Sequence, residues 1–367
     1  MSQDTLKYQI AISKIPGIGV ITAKKLIAYV GSAEGVFKEK NGLLKTIPGM
    51  QSSVIKEIRN KEVLKVAEKE LEFIDEHNIR TLYYLDKGYP ERLKHCEDSP
   101  LLLYLKGDTD LNRQKILSIV GTRNATVRGR DLCTKLVSDL AEHKHDVLIV
   151  SGLAYGIDFT AHKAALDNGL DTVAVLGHGL DIIYPAHHKE IAREIVSQGA
   201  LMTEFTSHSY REKAHFVMRN RIIAGISDAT VVVESGNKGG SLITADIANS
   251  YNRDVFAFPG RIADEYSIGC NRLIKTNRAA LIESVSDLEY ILGWDVKKMK
   301  EGVQKQLFAE LNNEEKIIAD LLKKENELSI DIISLRTNMP VSKASSILLG
   351  LEFKGLIKSL PGKIYAI

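Results

Sequence analysis

The chain has 367 residues, of which 44% are hydrophobic and 26% charged, a composition typical of a globular protein with two or three domains. Its 49 basic residues nearly balance 47 acidic ones, for a formal net charge of +2. Composition therefore excludes a protein that binds nucleic acid over a generally basic surface, and any such site must be a local concentration of positive charge.

Residues 1–80 are predicted to form a helical domain of the helix-hairpin-helix, or SAM-like, type. The turn at 15–19 (IPGIG) lies between stretches with apolar residues at helical spacing. Its glycines allow a tight turn, and backbone amides at the start of the next helix can face a phosphate. Residues 47–50 (IPGM) look like a second, decayed copy. A helical bundle with Pro-Gly turns fits the same pattern, so DNA contact by this domain stays open.

Residues 81–290 are predicted to form an extended Rossmann-like domain, beginning with a connector at 81–113 whose leucine run, Leu101–Leu105, favours a short strand. Beyond the connector, short apolar runs alternate with helical stretches. Such runs are typical of strands buried on both faces, and the alternation indicates a doubly wound parallel α/β sheet. The predicted strands are Ile116–Val120, Val147–Val150, Thr172–Leu176, Ala200–Thr203, Thr230–Val233, Val255–Phe258 and Ala280–Ile282.

The C-terminal residues, 314–367, are predicted to form a winged helix after a Lys- and Glu-rich linker at 291–313. The expected recognition helix carries only Lys343 and Lys354 as cations, whereas helices that contact base edges usually carry more Arg, Asn or Gln. We therefore expect a packing or protein-contact role for this domain. Its predicted helices are Glu314–Lys324, Ser329–Arg336 and Val341–Lys354, followed by a turn at Pro361-Gly362.

Glycine-rich polar loops follow most of the predicted strands. In a parallel sheet these loops emerge at one edge, where ligands bind at the switch in strand order. Glycine lets backbone amides approach a ligand, and the following helix points its positive end at it, which suits phosphate oxygens. One such loop would indicate only a tight turn, but several together favour a phosphate-binding edge. The loops are Val120–Arg123, Ser151–Asp158, Gly177–Asp181, Glu234–Ser241 and Pro259-Gly260.

A cluster of cations precedes an apolar segment that is predicted to be a helix. Arginine binds phosphate bidentately, and aromatic rings stack on unpaired bases. A solvated helix face with salt bridges is the alternative, but proximity to the glycine loops in chain order favours a polyanion site. The cluster comprises Arg211, Lys213, Arg219 and Arg221, with His208, Tyr210, His215 and Phe216 interleaved.

These motifs, in this order, resemble those of the DNA-processing protein A family. The resemblance covers the α/β domain and the connector, and less specifically both flanking domains. It implies an extended Rossmann fold that binds single-stranded DNA, shields it from nucleases and hands it to the RecA recombinase during natural transformation, as a homodimer. The matching stretches are Val120–Arg123, Ser151–Asp158, Ala174–Pro185, Arg219–Gly225, Gly240–Ala245, Phe258–Gly260 and Gly269–Asn271.

The resemblance also implies which residues line the DNA groove. This chain departs from the family at Val217 and Thr206, where proline is usual, and at His188, where asparagine is usual; these changes affect loop shape more than charge. The residues carried over by position are Gly121, Arg123, Ser151, Gly152, Lys163, Arg219, Asn220 and Gly240. The loops and the basic segment add Thr122, Phe216, Arg221, Lys238, Gly239 and Ser241.

No catalytic residue, metal or cofactor is expected. The chain lacks a complete Walker A motif, and Asp158 before His162 is more typical of a helix start than of a metal pair. The main alternative is a Rossmann-fold enzyme acting on a nucleotide or nucleoside phosphate, with Asp158 or Glu234 as acid or base. A winged-helix transcription factor is a weaker alternative, and it would prefer a duplex site.

Cysteine use and apolar runs bear on the compartment. Cys96, Cys133 and Cys270 are isolated and lack metal-ligand spacing, which favours a reducing environment. The N-terminus has no signal-peptide pattern, and no apolar run approaches the length of a membrane span. We therefore expect a cytoplasmic protein that does not associate with membranes.

Overall fold

The structure, a computed structural model, divides into two compact units, residues 1–294 and 295–367. Among the helices that it describes, none combines the length and apolar character needed to cross a membrane. The described residues are 3–40, 42–209, 212–294, 311–354, 356–360 and 364–366. Features predicted above that fall outside them are Tyr210, Arg211, most of the 291–313 linker and the Pro361-Gly362 turn.

The N-terminal part of the first unit is helical. It contains α1 (Gln3–Ser13), α2 (Val20–Val30), α3 (Ala33–Lys38), α4 (Leu43–Thr46), α5 (Ser52–Ile58) and α6 (Glu62–Glu76). Helix α2 follows the predicted 15–19 turn, in which Gly17 has a φ of 76°. It ends at Gly31, whose φ of 97° lets its N–H reach the carbonyl of Ile27. Glycines therefore set both ends of this helix.

The connector is part of the main sheet. It contains β1 (Arg80–Tyr83), α7 (Glu91–Lys94) and β2 (Leu102–Gly107). The leucine run forms β2, which pairs antiparallel with β1. Leu102 and Tyr104 of β2 are buried in the core of the N-terminal helices. The helical part and the sheet therefore share apolar surface within one unit.

The central sheet confirms the predicted doubly wound α/β fold. Its remaining strands are β3 (Lys115–Val120), β4 (Val147–Ser151), β5 (Thr172–Val175), β6 (Gly199–Thr203), β7 (Ala229–Val232), β8 (Asp254–Ala257) and β9 (Ala280–Leu281). In the described residues the sheet has nine strands, in the order β1-β2-β6-β5-β4-β3-β7-β8-β9. Strands β3 to β9 pair in parallel, whereas β2 pairs antiparallel with β6.

Helices cover both faces of the sheet. They are α8 (Val127–Glu142), α9 (Ile157–Asp167), α10 (Lys189–Ser197), α11 (Lys213–Met218), α12 (Asn220–Ile226), α13 (Gly240–Ser250), α14 (Ile268–Lys275) and α15 (Val285–Leu292). Alternate strand residues enter two cores: Ile116 and Leu148 pack on one face, and Leu117 and Ile149 on the other. The order reverses at β3, which lies between β4 and β7. This reversal opens a crevice at the carboxyl edge, where the parallel strands end.

The second unit has the predicted winged-helix fold. It contains α16 (Asn313–Glu325), β10 (Glu327–Ser329), α17 (Ile330–Thr337), α18 (Val341–Phe353), β11 (Lys358–Leu360) and β12 (Ile364–Ala366). Asn312 caps α16 by accepting a hydrogen bond from the amide of Glu315 at 2.8 Å. Asn338 ends α17 with a φ of 55°. These local signals explain why the helix bounds follow the sequence pattern closely.

Candidate nucleic-acid interface

A groove lies at the carboxyl edge, in the crevice between β3 and β7. Its volume is about 860 Å³, within the range of ligand sites. The loops after β3 and β7 form its walls together with α11 and the start of α12, and we call it the central groove. The residues predicted for a DNA site that line it are Gly121, Thr122, Arg123, Phe216, Arg219, Asn220, Lys238, Gly239, Gly240 and Ser241.

Arg219 places a buried guanidinium at the floor of the central groove. The residue is only 4% exposed, and its Nη1 donates a hydrogen bond to the carbonyl of Val175 at 2.5 Å. Its buried Nε has no hydrogen-bond partner among the described residues. Burial lowers the pKa of Arg219, and the Asp158 carboxylate opposes that shift. The floor therefore holds a cation whose hydrogen-bonding capacity is partly unused.

Glycine at position 152 makes room for this guanidinium. A Cβ atom on Gly152 would lie 2.0 Å from Nη1 of Arg219. Gly156, with a φ of 77°, is also required, since a Cβ there would lie 2.2 Å from the carbonyl oxygen of Thr122. At Gly240 a Cβ would meet no described atom within 4 Å. Some loop glycines therefore serve internal packing, whereas Gly240 leaves its backbone accessible from the groove.

The walls of the central groove carry cations without ion-pair partners. No carboxylate in the described part of the chain lies within 4 Å of the side-chain nitrogens of Arg123, Lys213 or Lys238. Together with the buried guanidinium these make four basic side chains, against two carboxylates, Asp158 and Glu265. The groove thus has a local excess of two positive charges in a chain that is nearly neutral overall.

The amino end of α13 also opens on the central groove. Gly239 precedes the helix and offers no side-chain cap. The hydroxyl of Ser241 donates a hydrogen bond to the hydroxyl of Ser235 at 3.0 Å. The N–H of Leu242 donates to the carbonyl of Gly239 at 3.2 Å, and the N–H groups of Gly240 and Ser241 before it carry the partial positive charge of a helix start. Such a helix start is suited to an anionic oxygen.

Aromatic rings lie beside these cations. The rings of Phe216 and Tyr184 are 5.8 Å apart, and Tyr184 is 43% exposed. Glycine at 177 brings the backbone against Phe216, since a Cβ on Gly177 would lie 3.0 Å from its ring. Rings beside cations can stack on unpaired bases while the cations hold the phosphates.

The two carboxylates considered for acid–base chemistry are held by internal hydrogen bonds. Glu234 is buried and accepts hydrogen bonds from the amide and the hydroxyl of Thr126, at 2.9 and 2.5 Å. Asp158 accepts a hydrogen bond from the amide of Ala154 at 3.4 Å. Burial raises the pKa of Asp158, and Arg219 and this amide partly offset the shift. Both side chains therefore support the loops and the buried arginine.

Comparison with known proteins gives the family. The family model for DNA recombination-mediator protein A matches residues 80–293, which is more than half of the chain. The chain belongs to the DprA family. The model of the DprA winged helix domain matches residues 305–363, so the resemblance drawn from the motifs is confirmed.

Relatives of this DprA-family chain include one that matches over almost the full length of both proteins. Protein Smf of Synechocystis is 30% identical over 100% of this chain and 99% of its own length. DNA processing protein DprA of Streptococcus pneumoniae is 41% identical over 56% of this chain and 71% of its own. The solved structure of S. pneumoniae DprA covers 77% of this chain and 97% of its own, with a TM-score of 0.62 and 33% identity. That of Helicobacter pylori DNA processing protein A, reported for its single-stranded DNA binding mode, covers 59% and 96%, with a TM-score of 0.53 and 28% identity.

Two predicted residues of the DprA-type site lie behind the wall of the central groove. Ser151 is fully buried, and its hydroxyl donates a hydrogen bond to the carbonyl of Ile119 at 2.6 Å. Gly152 lines a small adjoining cavity of about 70 Å³, next to Tyr155. Ser151 and Gly152 therefore pack behind the wall of the central groove and do not line its surface.

Two predicted cations lie outside the groove and are paired. Lys163 of α9 makes an ion pair with Asp167 at 2.9 Å. Arg221 is buried, where it makes an ion pair with Glu204 at 2.5 Å and donates a hydrogen bond to the carbonyl of Asp98. The structure thus separates Arg221 from Arg219, although they are two residues apart.

The lining residues that were not predicted for the DNA site include Asn124, Tyr184 and Tyr266. Tyr184-Pro185 belongs to a stretch that matches the family, which was the available signal for Tyr184. The backbone carbonyl of Tyr266 accepts a hydrogen bond from the amide of Ser235 at 2.7 Å. That contact joins two loops far apart in sequence, so local pattern does not indicate it.

One described cluster has the residue types of a metal site. His143 Nδ1 and His145 Nε2 lie 2.7 and 2.5 Å from the same Glu289 oxygen. The ammonium of Lys115 lies 2.8 Å from Nδ1 of His145, and because an ammonium only donates, that nitrogen is the acceptor. His145 Nε2 therefore carries the hydrogen and donates a hydrogen bond to the Glu289 carboxylate. The cluster is satisfied by hydrogen bonds, at the amino edge of the sheet, away from the central groove.

Proposed function

We propose that this DprA-family chain binds single-stranded DNA in the central groove, protects incoming DNA and loads the RecA recombinase during natural transformation. The observation that carries the proposal is a set of groove cations without carboxylate partners beside an uncapped helix start. Such groups bind phosphates regardless of base sequence. The Helicobacter pylori relative, reported for single-stranded DNA binding, supports the assignment.

Each part of the groove has a role in this proposal. Arg123 and Lys238 neutralise phosphates at the walls, and the backbone at Gly240 approaches a phosphate oxygen. The buried guanidinium of Arg219 adds positive charge beneath the phosphates at the floor. Phe216 stacks on an unpaired base, a contact that a duplex cannot offer. The groove should therefore prefer single strands without preferring a sequence.

The test compares binding of labelled oligo-dT and of a duplex by fluorescence anisotropy. Arg123→Ala combined with Lys238→Ala should weaken oligo-dT binding by at least about tenfold at low salt, since phosphate contacts supply most of the affinity. Lys163→Ala, which removes a cation outside the groove, should bind as the parent does. Tighter binding to the duplex, or equal losses in the two variants, would reject the proposal.

The proposal also includes a homodimer, RecA as a protein partner and the absence of a catalytic reaction. Light scattering of the purified chain measures the first, and capture of RecA on DNA-bound protein measures the second. The alternative of an enzyme acting on a nucleotide is tested with a panel of nucleotides. Turnover that disappears in Glu234→Gln, in protein that stays folded, would replace the proposal by that alternative.

A further inference from the structure

A second groove lies beside α10 and shares no lining residue with the central groove. Its volume is about 650 Å³, also within the range of ligand sites. It is surrounded by helix α10, the end of β2, strand β6 and the loop at 180–183. We call it the α10 groove.

The floor of the α10 groove is aliphatic. The lining residues include Leu180, Ile183, Val196 and Leu201, together with the small side chain of Ala192 on α10. On β2 the residue paired with Leu201 is Lys106, so no apolar side chain from that strand covers the floor. No aromatic residue is among the described residues that line it. A floor of this kind accepts a bulky apolar side chain but offers no ring for a base to stack on.

The rim of the α10 groove is cationic. In the part of the chain that the structure describes, the side chains of Lys106, Lys189 and Arg193 make no ion pair or hydrogen bond. Glu194, on the same helix, lies 3.6 Å from Lys163 of α9 and does not line the groove. Among the described lining residues Asp181 is the one carboxylate, and it lies 3.7 Å from Nδ1 of His208. The rim therefore keeps an excess of positive charge around an apolar floor.

We propose that the α10 groove binds an acidic peptide segment of a partner protein. In this complex a Leu or Phe side chain of the peptide enters the floor, and flanking Asp or Glu carboxylates pair with Lys106, Lys189 and Arg193. Apolar anchors supply affinity in peptide grooves, and complementary charge supplies specificity and fast association. A polyanion without apolar groups, such as the DNA backbone, leaves the floor unused.

The probe is a fluorescein-labelled acidic hexapeptide, Asp-Glu-Asp-Asp-Leu-Phe, titrated with the full chain in the absence of DNA. The parent protein should bind it, and peptides with Leu-Phe replaced by Ala-Ala, or with the carboxylates replaced by amides, should bind at least about tenfold more weakly. Equal binding of the three peptides would overturn the proposal.

Matched variants locate the site. Arg193→Glu should weaken peptide binding about tenfold, because it replaces attraction by repulsion. Lys163→Glu makes the same change of charge on the neighbouring helix and should leave binding unchanged. Ala186→Phe, at an exposed position on the groove, should block the peptide without altering the core. Unchanged binding in Arg193→Glu and Ala186→Phe would overturn the assignment.

Two further results would assign the groove to another occupant and overturn the proposal. The first is an equal loss of oligo-dT affinity in Arg193→Glu, which would place nucleic acid there. The second is a parent dimer that Arg193→Glu converts to a monomer, which would place a second copy of the chain there. Light scattering and the oligo-dT titration measure these outcomes on the same samples.

Discussion

Basic side chains occur at both edges of the central sheet, but their surroundings differ. At the amino edge, where the parallel strands begin, Arg92 donates hydrogen bonds to both oxygens of Asp228, at 2.6 and 3.0 Å. Arg113 pairs there with Asp171 at 2.6 Å. At the carboxyl edge, the wall cations of the central groove have no carboxylate within ion-pair distance among the described residues. Cations at the first edge hold the chain together, and those at the second remain available for a ligand.

This difference explains why overall charge says little about the site. The net charge of +2 only counts 49 basic against 47 acidic residues over the whole chain, wherever they lie and whether or not they are paired. A polyanion responds to the local excess, which extends over about 10 Å at moderate salt. The comparison therefore predicts that substitutions at the two edges have separable effects, on stability at one and on DNA binding at the other.

The largest expected effect is on stability at the amino edge. Asp228→Ala removes the carboxylate that accepts hydrogen bonds from Arg92 and, at 2.8 Å, from the amide of Ile116; Arg92 retains only hydrogen bonds to the carbonyls of Arg113 and Gln114 among the described residues. The free energy of unfolding should fall by about 3 kcal/mol, measured by urea denaturation. Asp146→Ala removes the partner of Arg113 that is 83% exposed and should cost less than about 1 kcal/mol. If Asp228→Ala weakens oligo-dT binding without destabilising the chain, the two edges are not separable.

The next effect concerns acid stability behind the carboxyl edge. Burial, aided by Arg219 and His188, lowers the pKa of His162 to about 3, while the unfolded state binds a proton near pH 6.5. Well above pH 6.5 His162 is neutral in both the folded and the unfolded state, so it does not affect stability there. Between pH 7 and pH 5 only the unfolded state gains a proton at this residue, and the free energy of unfolding therefore falls by about 2 kcal/mol. His162→Gln should show a shallower decline over that range in urea titrations. Parallel curves for the two proteins would show that His162 titrates normally.

A smaller effect is expected from substituting glycines, and it differs between Gly240, whose backbone is open to the groove, and Gly152, which packs against Arg219. Gly240→Ala adds a Cβ that meets no described atom within 4 Å, and it should stabilise the start of α13 by about 0.5 kcal/mol. It should nevertheless weaken oligo-dT binding by about tenfold if a phosphate approaches that backbone. Gly152→Ala, which displaces Arg219, should reduce both stability and affinity. Full affinity in Gly240→Ala would place the phosphates elsewhere in the groove.

The smallest effect is a change of slope with salt. Four phosphate contacts in the central groove predict that the logarithm of the association constant falls with the logarithm of salt with a slope of about −2.8. Arg123→Ala should reduce the slope to about −2.1, while Lys163→Ala should keep the parent value. A slope unaffected by Arg123→Ala would exclude that residue from phosphate contact.

The fold is largely predictable from this sequence, because buried parallel strands give apolar runs and glycine loops mark their ends. Each of the seven strands predicted between residues 116 and 282 lies within about one residue of its predicted bounds, whereas the leucine run expected at Leu101–Leu105 forms a strand at Leu102–Gly107. The antiparallel pairing of β2 is not predictable, since the run Leu101–Leu105 has the same apolar pattern as a buried parallel strand. Strand direction at that edge depends on contacts with the N-terminal helices.

The site is less predictable, because side-chain direction depends on backbone turns. Arg219 lies at the junction of α11 and α12 and reaches the groove floor, whereas Arg221 points to Glu204. Sequence spacing does not separate these two arginines. Nor does it show that Ser151 faces inward or that Tyr266 closes the groove, since both depend on contacts between distant loops.

The packing of Arg219 against Gly152 also constrains how such a chain can diverge. The guanidinium fills the volume that a side chain at 152 would need, so a substitution at one of the two positions is tolerated only with a substitution at the other. A lineage could acquire a larger residue at 152 only after shortening residue 219, and it would then lose the buried cation. Positions 152 and 219, which are 67 residues apart, are therefore expected to covary among relatives that lack an arginine at the position of Arg219.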